Sequence, residues 1–576
     1  MDIKIIGGNE SAKITVNERQ ENEIFYIDFS ISLPTPEIPE KTTLRFTLPN
    51  HSAYSFFDST YQLISRNLRP NWAPKKTSAR LAAGIPLQAY ISADGKNDFA
   101  LAISDVMTPT EISSGNYEGS KQDAAGSFDI KVSFFTIPVA ALDSYTATIR
   151  IDTRHIPFYD ALYDVTRWWE EDCGYESAFV PEAAKWAVNS LWYSYHQEID
   201  VEKIIEECRI QKEWGLKTVI LDDGWQTDDE NRGYAFCGDW EVAPSKIPDM
   251  KGLADKIHDM DMKFMIWYSV PYVGVNSKAY ERFKDMILDG SGKEWFCLDP
   301  RYKQVRDYLC DIYINAVKDW GLDGLKLDFI DSFVLGGKSL QPDDRRDHTS
   351  LEDAIDSLLS EVYSKLREIN PEILIEFRQN YIGPAVRKYG NMLRVGDCPC
   401  DALKNRYDII NLRFTSGKTP VHSDMIMWDY DQPTEIAALQ ISNVLFGVPQ
   451  VSVRANDLKE DHVKMLKFYL SFWNNHKDIL LDGKLIAHNP ESMYSLVYSE
   501  LDGKAVFGLY TDNIISGNYD YIAAVNSTRK DHVYIEDAIG KNYTAYNCLG
   551  EVLETAHITE KTQRITLPLS GIVIIQ

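Results

Sequence analysis

The run Thr218-Val219-Ile220-Leu221-Asp222-Asp223-Gly224-Trp225 decides how the rest of the chain is read. A short apolar stretch makes a buried strand, which stops at two adjacent carboxylates, a glycine and an indole. Side chains alternate along a strand, so the two Asp cannot both hide on one face, and at least one projects from the strand end. Two carboxylates beside an aromatic plate suit a ligand with several hydroxyls and an apolar face, such as a sugar. Alone, the last five residues fit a strand stop with an Asp turn about as well.

Outward from this run, short apolar strands alternate with longer helical patterns. Strands are expected near Leu191-Tyr195, Thr218-Leu221, Phe264-Trp267, Gly324-Phe329, Ile373-Phe377, Met392-Val395, Thr419-His422 and Gln450-Val453. Helices are expected between them, such as Val201-Trp214, Gln304-Trp320, Ser350-Ile369 and Pro433-Leu445. Eight strand-helix units fit a (β/α)8 TIM barrel. An open doubly wound sheet is the runner-up, and no Gly-rich phosphate loop follows any strand. Alternating stretches such as Glu23-Phe29, Thr43-Leu48, Phe128-Phe134 and Tyr145-Ile151 predict an N-terminal β-sandwich. Strands return after about Leu480, as in Ala505-Tyr510 and Gly571-Ile575, and predict a small C-terminal antiparallel β-sandwich. The expected layout is multidomain: sandwich 1–155, helical connector 156–182, barrel 183–478, C-terminal sandwich 479–576.

The 576 residues allow several large cores, and 44% hydrophobic with 25% charged residues is ordinary for a globular chain. A net charge of -26 repels polyphosphate, which argues against a nucleic-acid partner but costs a neutral substrate nothing. Aromatics at 12% fit sugar stacking, although cores use them too. Met1-Asp2-Ile3-Lys4-Ile5-Ile6-Gly7-Gly8 lacks the apolar stretch of a signal peptide, and no run is long enough to span a bilayer. Eight scattered Cys do not read as a disulfide framework. The expectation is a reduced, cytoplasmic protein with no membrane partner.

Reactive groups of a barrel sit at the C-terminal ends of its strands. Here those ends present Asp222-Asp223-Gly224-Trp225, Trp267-Tyr268, Lys326-Leu327-Asp328, Glu376-Phe377-Arg378, Arg394-Val395-Gly396-Asp397 with Asp401, and His422-Ser423-Asp424. Lys326 and Asp328 are two apart, on one strand face inside the barrel. A Lys beside a buried Asp keeps the carboxylate ionised, as a covalent nucleophile requires; a structural ion pair is the bland alternative. Retaining glycoside hydrolysis needs a second carboxyl about 5–5.5 Å away, protonated to assist departure of the leaving group. Asp397 can supply it, and Asp401 is the rival on the same loop. Cys398-Pro399-Cys400 lacks a second Cys/His pair, so no metal is expected. His422 reads equally as a hydrogen-bonded strand-end histidine or a ligand contact.

The order Asp222-Asp223-Gly224-Trp225, Gly238-Asp239-Trp240 with Lys246-Ile247-Pro248, Trp267, Leu298-Asp299-Pro300 and Lys326-Leu327-Asp328 resembles the α-galactosidases of glycoside hydrolase family 36 over about residues 185–455. The resemblance implies Asp328 as nucleophile and Asp397 as acid/base. It implies Asp222 and Asp223 as the pair on the 4- and 6-hydroxyls, Lys326 as a sugar contact and Trp240 as a subsite wall. Trp225, Trp267, Arg378, Arg394 and Asp401 complete the candidate binding set. It implies no metal or organic cofactor. The family often assembles, which leaves a homo-oligomer through the N-terminal sandwich open. Two stretches depart from the family. The fifth strand reads Phe377-Arg378-Gln379-Asn380-Tyr381-Ile382-Gly383 where the family often has Cys and glycines around the 2-substituent, and Tyr268-Ser269-Val270-Pro271 replaces an acidic pair. The expected activity is that of a retaining exo-α-glycosidase, foremost an α-galactosidase. The alternatives are a related glycosidase for N-acetylgalactosamine, glucose or a C2-modified sugar, a transglycosylase of the raffinose-synthase type, or a non-catalytic carbohydrate-binding protein.

Overall fold

A computed structural model describes residues 1–49, 53–57, 74–116, 126–288 and 294–576. Two antiparallel sheets of five and six strands occupy the N-terminal part, between Lys4 and Asp152. Their alternation is the sequence pattern made visible. Thr42–Pro49 buries Leu44, Phe46 and Leu48 and turns Arg45 and Thr47 outward, where Arg45 pairs with Asp129 on the neighbouring strand. The inward rows of both sheets meet in one core that includes Phe29, Phe46, Phe128 and Ile149.

A helix over Phe158–Glu171 follows, with Phe158, Ala161, Leu162, Val165, Trp168 and Trp169 buried at helical spacing. It joins two parts of the molecule. Trp169 donates its indole N–H to Ile103 O of the sandwich, and the Thr166 hydroxyl donates to Phe414 O of the barrel.

The barrel strands are β1 (Val188–Ser190), β2 (Thr218–Leu221), β3 (Lys263–Ser269), β4 (Gly324–Asp328), β5 (Leu374–Arg378), β6 (Met392–Arg394), β7 (Val421–His422) and β8 (Gln450–Val451). All pairings are parallel, in the order β7-β6-β5-β4-β3-β2-β1-β8. Parallel bridges His422–Val448 and Ile426–Val451 link β7 to the β8 edge and close the ring. The register sets levels inside it: Trp267 faces Lys326, Lys326 faces Glu376, and Arg378 faces Arg394, which faces His422.

One strand lies elsewhere than expected. The first is Val188–Ser190, and Trp192–Tyr195 is a single helical turn. The aromatic run carries high β-propensity, but the real strand carries Asn189 and Ser190, both fully buried, on its two opposite faces. Those polar residues disguised it.

After the long helix Glu460–Asp482 the chain forms a seven-stranded and a three-stranded sheet. Most pairs are antiparallel; Lys504–Leu509 with Tyr521–Asn526, and Ile514–Ser516 with His532–Glu536, are parallel. No helix among the described residues is long and apolar enough to cross a membrane.

Candidate active site

The C-terminal ends of β2, β4, β5, β6 and β7 bring their charged side chains together. Asp222 Oδ2 accepts from Lys326 Nζ at 2.6 Å, with both side chains buried. Burial works against the Lys326 charge, but Asp222, Asp328 and Glu376 outweigh it and raise the ammonium above its usual range. This corrects the expected pairing: Lys326 shares a strand face with Asp328 but bonds to Asp222. Asp223 accepts from the amides of Gln197 at 2.8 Å and Gln226 at 2.7 Å, and burial pushes its carboxyl up to about 6. Gly224 has φ +111°, and a Cβ there would stand 2.8 Å from Gln197, so the turn that presents the Asp pair admits glycine only.

Asp328 is held by four donors. Its Oδ1 accepts from Arg378 Nε at 2.7 Å, from the Phe329 N–H at 2.9 Å and from the Tyr381 hydroxyl. Its Oδ2 accepts from Trp267 Nε1 at 3.0 Å. Burial disfavours the carboxylate, but Arg378, Lys326 and the Trp267 and Tyr381 hydrogen bonds prevail and hold it far below the ordinary range. The Arg378 guanidinium lies 5.0 Å from the Phe329 ring centre, donates Nη1 to Gln379 O, and leaves Nη2 without a hydrogen bond among the described residues.

Arg394 is buried with its nitrogens turned to protein. Nη1 meets Asp424 at 2.6 Å, Nη2 meets Asp397 at 2.9 Å, and Nε lies 3.7 Å from Glu376. It positions carboxylates and is no contact for an incoming ligand. The Asp397 side chain is 50% exposed. Its partial burial lifts the carboxyl, but Arg394, then Arg378 and Lys326, hold it below the usual range. Asp401 is committed elsewhere: exposed, it accepts from the Lys404 N–H and caps the helix Ala402–Arg413.

The tryptophans divide. Trp267 touches Asp328 directly. Trp225 is fully buried behind it, donating to Trp267 O at 2.9 Å and packing on Trp240, Tyr268 and Trp320. Trp225 supports Trp267 and has no surface for a ligand. Trp240 packs edge-on to Trp267 at 5.9 Å. Tyr234, Tyr272 and Phe329 complete an aromatic wall around Trp267. His422 is buried, bonded to Ala184 O at 2.8 Å, and burial lowers its imidazole to about 4. Asp299 is locked in a buried pair with Arg301 at 2.7 Å. None of the eight cysteines forms a disulfide, and no cluster among the described residues has the ligands for a metal.

Sequence reasoning missed Gln197, Tyr193, Tyr381 and the pairing role of Asp424. Gln197 and Tyr193 escaped because the first strand was placed over their loop. Tyr381 lay inside the fifth-strand stretch already marked as unusual.

A cavity of about 790 Å³ opens at the other end of the barrel, between Lys418-Thr419-Pro420, Arg413 and Lys484. Lys185 and Lys484 there are paired with Asp482 and Asp160, and Arg413 donates to three backbone carbonyls. With these three cations committed to the protein, we place the site at the carboxylate cluster.

Residues 178–380 match the Melibiase family. The matched stretch covers β1 to β5 and ends just past Arg378. An α-galactosidase of Geobacillus stearothermophilus is 28% identical over 168 residues, 28% of this chain and 23% of that protein. Alpha-galactosidase 2 of Pediococcus pentosaceus is 32% identical over 138 residues, 23% of this chain and 19% of that protein. The matched stretches thus span about a quarter or less of these relatives. A solved structure of a Geobacillus stearothermophilus family 36 α-galactosidase variant in complex with raffinose superposes with a TM-score of 0.64 at 14% identity, over 100% of this chain and 87% of that one. The fold of the barrel and its flanking sheets is that of the family 36 α-galactosidases.

Proposed function

We propose that this protein is a retaining α-glycosidase acting on terminal α-galactosides. The observation that carries the reading is the asymmetry of Asp328. Three donors occupy Oδ1 and one occupies Oδ2, so Oδ2 keeps a lone pair free. A buried carboxylate kept ionised, with one oxygen anchored and one available, is suited to attack an anomeric carbon. Asp397 protonates the departing oxygen and later deprotonates the water that releases the sugar, giving net retention. A neutral sugar seated over the half-exposed Asp397 strips its water and lifts its proton affinity toward what an acid needs. Asp222 and Asp223 accept sugar hydroxyls, and the aromatic wall takes the apolar face. The relatives' names and the raffinose bound to one of them support a galactoside substrate.

A second reading is favoured by Arg378: a galactose-like sugar modified at C2. Its free Nη2 sits beside the carboxylate that attacks the anomeric carbon, within reach of a substituent on the next carbon. The deciding experiment is hydrolysis of aryl α-glycosides of galactose, glucose, N-acetylgalactosamine and C2-modified sugars, with product stereochemistry followed by NMR. Cleavage of α-galactosides with retention is expected. Cleavage of none, or inversion, defeats the proposal. Faster cleavage of a C2-modified sugar selects the second reading.

A further inference from the structure

One arginine serves two carboxyls that are otherwise treated very differently. Arg394 gives Nη1 to Asp424 Oδ1 and Nη2 to Asp397 Oδ1. Asp424 is fully buried, and its Oδ2 also accepts from the Cys398 N–H at 2.6 Å and the Tyr193 hydroxyl at 3.1 Å. Burial, with Asp397 beside it, lifts the Asp424 carboxyl; against that, three donors aimed at it favour its anion, and a proton on Oδ2 would collide with the Cys398 N–H. Asp397 is half-exposed, and its Oδ2 makes no hydrogen bond among the described residues. Of the two, only Asp397 has an oxygen free to hold a proton and give it up.

We propose that Asp424 is a positioning residue: by taking the other end of the Arg394 guanidinium, it leaves Asp397 sharing that cation, so that Asp397 retains a proton for the leaving group. This rests on Asp397 being the acid/base of the proposed function. In the first step Asp328 Oδ2 forms its bond to the anomeric carbon, the bond from that carbon to the leaving oxygen breaks, and the Asp397 proton passes to that oxygen. In the second, water gives a proton back to Asp397 and its oxygen to the anomeric carbon as the bond to Asp328 breaks. An Arg394 facing Asp397 alone would keep that carboxylate ionised and starve the first step.

The remaining charges largely cancel. Lys326 and Arg378, which face Asp397 from β4 and β5, are already bonded to Asp222 and Asp328. Glu376 faces Arg394 from β5, and the Asp408 that faces Asp424 is bonded to Lys404. Asp328, facing Asp397 from β4, adds a like charge that lifts it, and the Arg394–Asp424 contact sets how much of the nearest cation Asp397 receives.

Two variants move it in opposite directions. Asp424→Asn keeps the shape and removes the charge; Arg394→Lys keeps the charge, but one nitrogen cannot bridge two carboxyls. The Asp397 titration is read from the carboxyl infrared band of 13C-aspartate-labelled protein, subtracting the Asp397→Asn spectrum. In parallel, kcat/KM is followed against pH on aryl α-galactosides with good and poor leaving groups. Asp424→Asn should lower the Asp397 titration and the alkaline limb by about one pH unit. It should slow poor leaving groups roughly tenfold more than good ones. Arg394→Lys should raise the titration. An Asp397 titration that stays put or rises in Asp424→Asn overturns the proposal. If that variant does not fold, an unmoved titration in Arg394→Lys overturns it instead. The infrared reading needs no turnover. A protein that cleaves no glycoside but shows both shifts therefore defeats the glycosidase reading while the charge coupling stands.

Discussion

On the β2–β4 side of the barrel mouth, each charge has its own partner: Lys326 meets Asp222, and Asp223 is held by two neutral amides. On the β5–β7 side cations are shared or borrowed: Arg394 divides itself between Asp397 and Asp424, and Arg378 crosses to β4 to bind Asp328. A one-to-one buried pair fixes its charge, because losing either proton balance strands the other partner. A shared cation lets one of its carboxyls titrate while the other stays ionised. The first arrangement suits recognition, which wants constant charge, and the second suits chemistry, which moves protons.

The largest effect that would break this division is at Asp328, where the two sides meet. Asp328→Ala should lower kcat by on the order of 10⁴-fold or more, as removal of a covalent nucleophile does, with the circular dichroism spectrum kept. Near-wild-type turnover would end the assignment. Asp397→Ala should cost roughly 10²–10⁴-fold on poor leaving groups and far less on good ones. The sign of its pH dependence follows from its role: the proton is needed for departure, so kcat/KM should fall as pH rises through the Asp397 value. An equal loss on every leaving group would remove Asp397 from the proton transfer.

On the recognition side the expected losses are in stability and binding. Lys326→Met leaves Asp222 buried without its cation and should destabilise the fold by about 3–5 kcal/mol in urea melts. A stability loss below ~1 kcal/mol would mean that water reaches Asp222 and that the pair is not fixed. Asp223 adds a milder effect. Its carboxyl, lifted by burial to about 6, loses its charge as pH falls through that value. KM should therefore rise below about pH 6 while kcat on a good leaving group changes little. A flat KM down to pH 4–5 would show that Asp223 is not the ionised acceptor of a sugar hydroxyl.

The same division explains what could be read from the chain. The barrel was legible because seven of its strands lie at the expected places, and the short length of their runs against the longer helical patterns between them separates strand from helix. β1 was misplaced because two of its three residues, Asn189 and Ser190, are polar although buried. Alternation correctly put Lys326 and Asp328 on one face, but a face does not name a partner. The nearest charges in sequence were not the nearest in space: Asp222 lies 104 residues from Lys326, and Arg378 lies 50 from Asp328. Tyr381, Gln197 and Asp424 act through a single hydroxyl, amide or carboxylate on loops, and their residue types recur on loops that do nothing comparable.

The smallest expected effect separates two residues that sequence alone could not. Asp397 and Asp401 are four apart on one loop, both exposed, both plausible acids. Asp401 spends its carboxylate on the Lys404 N–H at 3.0 Å, at the first turn of the helix Ala402–Arg413. Asp397 spends one oxygen on Arg394 and keeps the other. Asp401→Ala should therefore cost about 1 kcal/mol of stability, the usual loss for an N-cap, and leave kcat/KM within about twofold. If Asp401→Ala instead lost activity selectively on poor leaving groups, the two residues would exchange roles, and the Arg394 clamp would be holding a bystander.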